Sequence, residues 1–258
     1  MRMVLKIDAP GPQGQPWFDS FPGALTALLE DGHCVTVVHG NSAQPIRSVS
    51  SNGKNGHAKR KSAGSDEDAL IADIGATNKS LVCRLNAAGM RALGLCGADG
   101  KILRMRRKNE MGSGRESLEI ASVDPFWLDV ISQQQSVLVM ANLGPGPDKK
   151  LHRVDAGELA AACAVAWRAD ALVFLTAYEG IRNVGGEVIR WLEAGHVEAL
   201  LQSSMLSPEV LSHLKAGHEA IKHGVRRVRI LPFSCVNSLS QFYFAKIAEG
   251  TELILSSA

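Results

Sequence analysis

The chain has 258 residues, 45% of them apolar and 21% charged, with a formal net charge of +2. This is enough for one large or two smaller α/β lobes of a globular protein, and the small charge points to no class of partner. No apolar run approaches membrane-spanning length, and MRMVLKIDAP has too short an apolar stretch for a secretory signal, so a cytoplasmic location and no membrane partner are expected.

From the N-terminus, Val4 to Ile7 reads as a short strand and the Gly/Pro-rich stretch from Asp8 to Pro22 as a loop. Gly23 to Glu30 is a helix, and the β-branched run Cys34 to Val38 a strand ending at His39-Gly40. Asn41 to Asp68 is polar throughout and reads as a long loop or hairpin. The helix that follows spans Ala69 to Ala88, with Asp66, Glu67 and Asp68 placed where a helix N-terminus favours negative charge. Strands are expected over Ala92–Cys96, Ile102–Met105 and Ser117–Val123, then a helix over Phe126–Gln133, a buried strand over Ser136–Ala141 and a Gly/Pro turn over Asn142–Lys150.

The stretch Leu151 to Ile181 organises the rest. An Ala-rich helical run, Glu158 to Trp167, passes through a three-residue connector into the apolar strand Ala171–Leu175 and the turn Thr176-Ala177-Tyr178-Glu179-Gly180. In open α/β sheets ligands bind beyond the carboxyl ends of the strands, which makes this turn the place to expect one. A polar loop with short helices follows over Asn183–Leu201. Ser207-Pro208-Glu209 then starts a helix running to His223, with Ser as cap and Pro at the first position. A strand over Val225–Leu231, a helix over Leu239–Ala248 and a strand over Thr251–Leu255 end the chain. Strands alternating with helices predict an α/β fold, a three-layer αβα sandwich with a largely parallel central sheet. The five cysteines form no CxxC pair and lie mostly in apolar segments, so buried thiols are expected and no metal site. The basic runs RMRRKN and Lys59-Arg60-Lys61 lack interleaved aromatics, which argues against nucleic-acid binding.

The order of short motifs resembles that of the amino-acid kinase family, nearest its N-acetylglutamate kinase branch. The motifs are Lys6 in KIDAP, VVHGNS over Val37–Ser42, Arg60-Lys61-Ser62, Asn78-Lys79, GLCGADGK over Gly94–Lys101, the whole central stretch, and the terminal Gly250-Thr251. The resemblance covers nearly the whole chain. It implies a carbamate-kinase-like fold, with an acceptor-binding lobe over about residues 1–150 and a nucleotide-binding lobe over about 151–258 of one domain. It also implies transfer of the ATP γ-phosphoryl group to a side-chain carboxylate of an acyl amino acid in arginine biosynthesis, magnesium as part of the nucleotide complex, and a homodimer. The chain starts directly at its first strand, without the extra N-terminal helix of arginine-inhibited hexamers, so that regulation is not expected.

Carried over residue by residue, the resemblance makes Lys6 the cation on the phosphoryl group, with Asp155 and His213 as further catalytic candidates. It gives Gly40, Asn41, Arg60 and Arg153 to the acceptor, and Thr176, Tyr178 and Gly180 to the nucleotide. Several positions depart from the family pattern. Two glycines after Gly40 are replaced by Asn41 and Ser42, which crowd a phosphate. Asp8 near Lys6 would repel one, and Pro10 has no N–H to offer. The family's orienting aspartate falls on Gly157, and a nucleotide contact is lost at Ala177. The second lysine falls on His213, counting back from Gly224, or on Pro208 if aligned on Ser204-Met205. His213 is expected to lie on a helix surface. Two readings stay open: an active carboxylate kinase, and a catalytically silent relative that binds an amino acid, a nucleotide or a protein.

Overall fold

The computed structural model describes residues 1–9, 16–41, 63–109, 116–202, 206–243 and 249–255. In chain order the strands and helices are β1 (Arg2–Ala9), α1 (Pro16–Glu30), β2 (Cys34–Asn41), α2 (Ala63–Ala87), β3 (Ala92–Cys96), β4 (Leu103–Asn109) and β5 (Glu116–Val123). Then come α3 (Phe126–Gln133), β6 (Val137–Ala141), β7 (Leu143–Pro145), β8 (Leu151–Arg153), α4 (Ala156–Ala166) and β9 (Ala171–Thr176). The chain closes with β10 (Trp191–Glu193), α5 (Ala194–Leu201), α6 (Pro208–Lys222), β11 (Arg227–Pro232) and β12 (Thr251–Ile254).

Eight strands form one sheet in the order β10-β12-β11-β9-β1-β2-β6-β3. Every pairing from β11 to β3 is parallel, and β12 meets β11 antiparallel. The central strands are apolar along their length because both faces are covered. Side chains alternate between the faces. Val4, Val38, Leu172 and Phe174 pack with Leu128, Leu159 and Leu214 of α3, α4 and α6. Leu5, Val37 and Val173 pack on the other side with Phe18 and Leu25 of α1 and Leu81 of α2. The result is the expected three-layer αβα arrangement. Two antiparallel hairpins, β4–β5 and β7–β8, stand outside the sheet. No helix among the described residues is long and apolar enough to cross a membrane.

Several boundaries differ from the sequence reading. β1 runs on to Ala9, and α1 starts at Pro16 inside the expected loop. The cause is a stripe at helical spacing, Phe18, Phe21, Leu25 and Leu28, all within 1% of full burial. Burial of two aromatics outweighs the local cost of Pro22 within the helix. α2 begins at Ala63, so Asp66, Glu67 and Asp68 lie inside it and do not mark its start; residues 42–62, including the basic Lys59-Arg60-Lys61 cluster, lie outside the described residues. The expected turn over Asn142–Lys150 supplies one strand of the β7–β8 hairpin and its connection. β10, three residues long, is too short to show a period. The expected helix over Leu239–Ala248 is, up to Tyr243, part of a 3₁₀ segment over Phe233–Tyr243, and its remainder lies outside the described residues.

Candidate active site

Period-two alternation puts Lys6 and Asp8 on the same face of β1, the face covered by α4 and α6. Asp8 lies opposite Gly40 of β2 in the ladder. A Cβ on Gly40 would come within 3.0 Å of the Ala156 Cβ at the start of α4, so a larger residue would push that helix away. Next to β1 on its other side, β9 ends at Thr176 and the chain turns through Tyr178. Helix α6 then brings Glu209 and His213, four residues apart and so on one face, back over this edge. The N-cap of α6 is Ser207, whose Oγ accepts the Val210 N–H.

These elements bring together four polar side chains. The Lys6 ammonium, 3% exposed, donates to Asp8 Oδ1 at 2.7 Å and lies 2.9 Å from His213 Nε2. The other imidazole nitrogen, Nδ1, is 2.6 Å from the Tyr178 hydroxyl. The His213 ring packs on Phe174, with centroids 5.0 Å apart, and stacks with Tyr178 at 6.0 Å. Burial, reinforced by the Lys6 ammonium, pushes His213 down to about 2, so it is neutral near pH 7. Burial, with the Glu209 and Asp8 carboxylates adding to it, raises Tyr178 well above the usual phenol range. Donor atoms of Asp8, Glu209 and His213 all lie within 4.8 Å of one another. The Lys6 ammonium, in contact with two of these groups, already supplies a positive charge there, and a dication would contest its place.

The sequence-predicted residues divide accordingly. Lys6 is not a solvent-facing strand lysine, and His213, 2% exposed, is not a surface histidine; it lies on the inward stripe of α6 with Leu214, Gly217 and Ile221. Asp8 does not simply repel: it is the ion-pair partner of Lys6. Asp155 is the N-cap of α4. Its Oδ1 accepts the Glu158 N–H at 2.9 Å and its Oδ2 the Ser212 hydroxyl at 3.0 Å, so it fastens α4 to α6. A Cβ at Gly157 would come within 3.1 Å of Asp155 Oδ1 and make ordinary contacts of 3.5 Å with Ala216 Cβ and Ser212 Oγ. Thr176 is fully buried, its hydroxyl donating to the Tyr178 carbonyl at 2.8 Å, which shapes the turn that presents Tyr178. Gly180 has φ +141°, and a Cβ would meet Val188 at 2.7 Å and Thr251 at 2.9 Å. It is required by the seam between this turn and the Gly250-Thr251 turn. Arg153 is half-buried on β8 opposite Leu143, in the outlying hairpin. Asn41 ends β2, while Arg60, Ser204-Met205 and Pro10 lie outside the described residues.

Sequence reasoning missed two members of the cluster as partners. Asp8, two residues from Lys6 on a strand, and Glu209, four from His213 on a helix, carried spacing signals that place them on the same faces. A further buried histidine, His39, lies on the opposite side of the sheet, where Asn78 Nδ2 reaches its Nε2 at 3.1 Å and the Val139 carbonyl at 3.0 Å. Burial holds His39 down to about 4.

These two imidazoles should make the fold acid-sensitive. Both have folded values below the ordinary 6.5, so the unfolded chain takes up protons first as pH falls. Stability is then lost below about pH 6.5, down to about 4 for His39 and further for His213. Lowering pH from 7 to 5 should cost about 2 kcal/mol for each. Urea unfolding at pH 7, 6 and 5 measures this, and His39→Gln should remove about half of the dependence. A flat stability between pH 7 and 5 would refute the assignment of neutral buried imidazoles.

Residues 12–232 match the amino acid kinase family. The acetylglutamate kinase of Acidobacterium capsulatum is 36% identical over 260 residues, spanning 99% of this chain and 100% of that protein. That of Koribacter versatilis is 33% identical over 259 residues, 98% of this chain and 99% of the relative. Among solved structures, N-acetylglutamate synthase from Neisseria gonorrhoeae, complexed with coenzyme A and L-arginine, has a TM-score of 0.77 over 98% of this chain at 21% identity. This chain spans 61% of that synthase's length. A carbamate kinase from Giardia shares the fold at a TM-score of 0.63 and 10% identity, with 99% of each chain covered. The family match over most of the chain, and relatives at 36% and 33% identity over nearly all of it, agree with the parallel sheet and with a lysine buried at its carboxyl edge: this chain belongs to the amino acid kinase family.

Proposed function

We propose that this protein transfers the γ-phosphoryl group of ATP to the side-chain carboxylate of N-acetyl-L-glutamate or a closely related acyl amino acid. The observation that carries this is the Lys6 ammonium, buried on β1 three residues before the strand ends and overhung by α6, in a chain that aligns end to end with acetylglutamate kinases. In phosphoryl transfer the protein positions the reactants and offsets charge on the oxygens of the group in flight. An ammonium has three N–H bonds. Among the described residues Lys6 has two partners, Asp8 and His213, and its third N–H is available to an anionic oxygen.

The donor set fits a metal-complexed nucleotide better than a bare polyphosphate, because Asp8 and Glu209 put negative charge close to Lys6 while His213 contributes none. The nucleotide supplies the phosphoryl group, and its magnesium ion a positive charge that a neutral His213 does not. In this reading Lys6 holds the transferring group. Residues of about 1–150, with Gly40, Asn41, Arg60 and Arg153, take the acceptor, and residues of about 151–258, through the Thr176–Gly180 turn, take the nucleotide. Thr176 and Gly180 act by shaping that turn, and Asp155 by fixing α4 against α6.

A coupled assay of ADP release with ATP, magnesium and N-acetylglutamate tests the proposal. Release should depend on the acylated acceptor and be absent with free glutamate. Tight ATP binding by calorimetry with no ADP release over hours, for N-acetylglutamate and a panel of acyl amino acids, would overturn it in favour of a silent, ligand-binding family member.

A further inference from the structure

We propose that Tyr178 and His213 are positioning residues for Lys6: the imidazole is the neutral Nδ1–H tautomer, its bare Nε2 accepts an N–H of Lys6 and aims the ammonium, and the Tyr178 oxygen accepts the Nδ1–H and holds the ring in place. The kinetic part of this rests on the reading of Lys6 given above; the proton assignment does not.

Lys6 Nζ lies 2.7 Å from Asp8 Oδ1 and 2.9 Å from His213 Nε2. An ammonium only donates, so Nε2 must present its lone pair. A neutral imidazole carries one ring proton, which is then on Nδ1, and Nδ1 donates to the Tyr178 oxygen 2.6 Å away. The opposite tautomer, or the imidazolium, would set an N–H against the ammonium at 2.9 Å. The groups facing the ring are consistent with this. From β1 come Lys6 and Asp8, from the turn after β9 comes Tyr178, and from α6 itself comes Glu209. Phe174 of β9 packs on the ring and carries no charge.

The consequence is mechanical. A lysine stem has four rotatable bonds, and ordering it costs rotamer entropy. Asp8 draws the ammonium toward its own strand, while His213, 207 positions away in sequence, draws it toward α6. The two together hold it ready, so that little reorganisation remains when charge develops. Tyr178 acts on Lys6 through the histidine, by holding the ring where Nε2 meets the ammonium.

The test uses the full chain labelled with ¹⁵N at its histidine rings. At pH 6 to 8, the His213 resonances should show one protonated and one bare nitrogen, with the proton on Nδ1 and no titration across the window. In Tyr178→Phe the proton should stay on Nδ1, because the Lys6 ammonium still faces Nε2, and the Nδ1 resonance should shift for loss of its acceptor. With substrates, Tyr178→Phe and His213→Leu should lower kcat about tenfold with KM little changed. His213→Gln, which places an amide oxygen near the Nε2 position, should recover most of that loss. A His213 that titrates between pH 6 and 8, or carries its proton on Nε2, overturns the proposal, as does wild-type kcat in His213→Leu. If a variant fails to fold, the wild-type spectrum decides alone. If the wild type turns over no acceptor, the kinase reading fails, and the ring-nitrogen assignment still stands or falls on the spectrum.

Discussion

Replacing Lys6 by methionine should lower kcat for acyl-amino-acid phosphorylation by two to three orders of magnitude, about the loss seen when one preorganised electrostatic donor is removed from an active site. The expectation follows from where the charge is. Lys6 is 3% exposed, its ammonium is fixed by Asp8 and His213, and the neighbouring imidazole is neutral, so Lys6 is the group in this cluster able to offset charge on a transferring phosphoryl group. An interaction that strengthens as charge spreads appears in kcat and not only in KM. Because the substitution leaves the Asp8 carboxylate without its partner, the urea midpoint of the variant must be measured alongside. The double variant Lys6→Met/Asp8→Asn provides a control: it removes the stranded charge, should recover stability, and should remain as inactive. Turnover of Lys6→Met within tenfold of wild type would take Lys6 out of the mechanism.

The largest effect on stability is expected at Trp167. Its side chain is fully buried where the end of α4 meets α3 and the start of β1. The indole N–H donates to Asp129 Oδ1 at 3.0 Å, and the Arg2 guanidinium lies 5.5 Å from the ring centroid. Arg2 also donates to the Trp167 carbonyl at 2.8 Å and pairs with Asp129 at 2.8 Å. Trp167→Ala should cost about 3–5 kcal/mol by leaving a cavity in a layer that cannot collapse. That is a large part of the 5–15 kcal/mol, as an order of magnitude, that separates folded from unfolded domains. Trp167→Phe keeps most of the volume and loses one hydrogen bond to Asp129 Oδ1, which retains its Arg2 partner, so a smaller loss of about 1 kcal/mol is expected. Urea unfolding followed by near-UV circular dichroism distinguishes the two. A loss below about 1.5 kcal/mol for the alanine variant would show that this corner repacks.

The parts of the fold that could be read from the chain are those whose signal is local. β2, β6 and β9 are short apolar runs with every residue needed inside a sheet covered on both faces, and Ser207-Pro208-Glu209 is a complete helix start. Where composition and burial disagree, reading failed. The first turns of α1 look like loop because of Pro16, Pro22 and Gly23, yet Phe18 and Phe21 bury too much apolar surface to remain outside a helix. The strand β10 has exposed ends and three residues, and is a strand because β12 lies beside it. The same division holds in the site. Lys6, Gly40 and Tyr178 could be marked as strand-end or turn positions. Nothing local told whether His213 faces water or the core.

What the sequence determined by itself is the alternation of strand and helix, the two-faced burial of the central strands, and hence a parallel α/β sheet whose strands' carboxyl ends share one edge. These follow from periodicity and from the chain's own turn and cap chemistry. What only the tertiary structure decided is the electrical character of that edge. Lys6, Asp8, Tyr178 and His213 come from three elements, and Lys6 meets His213 across 207 residues. Protonation states there depend on burial and on which donor faces which acceptor. Both are properties of packed neighbours, and no stretch of sequence contains them.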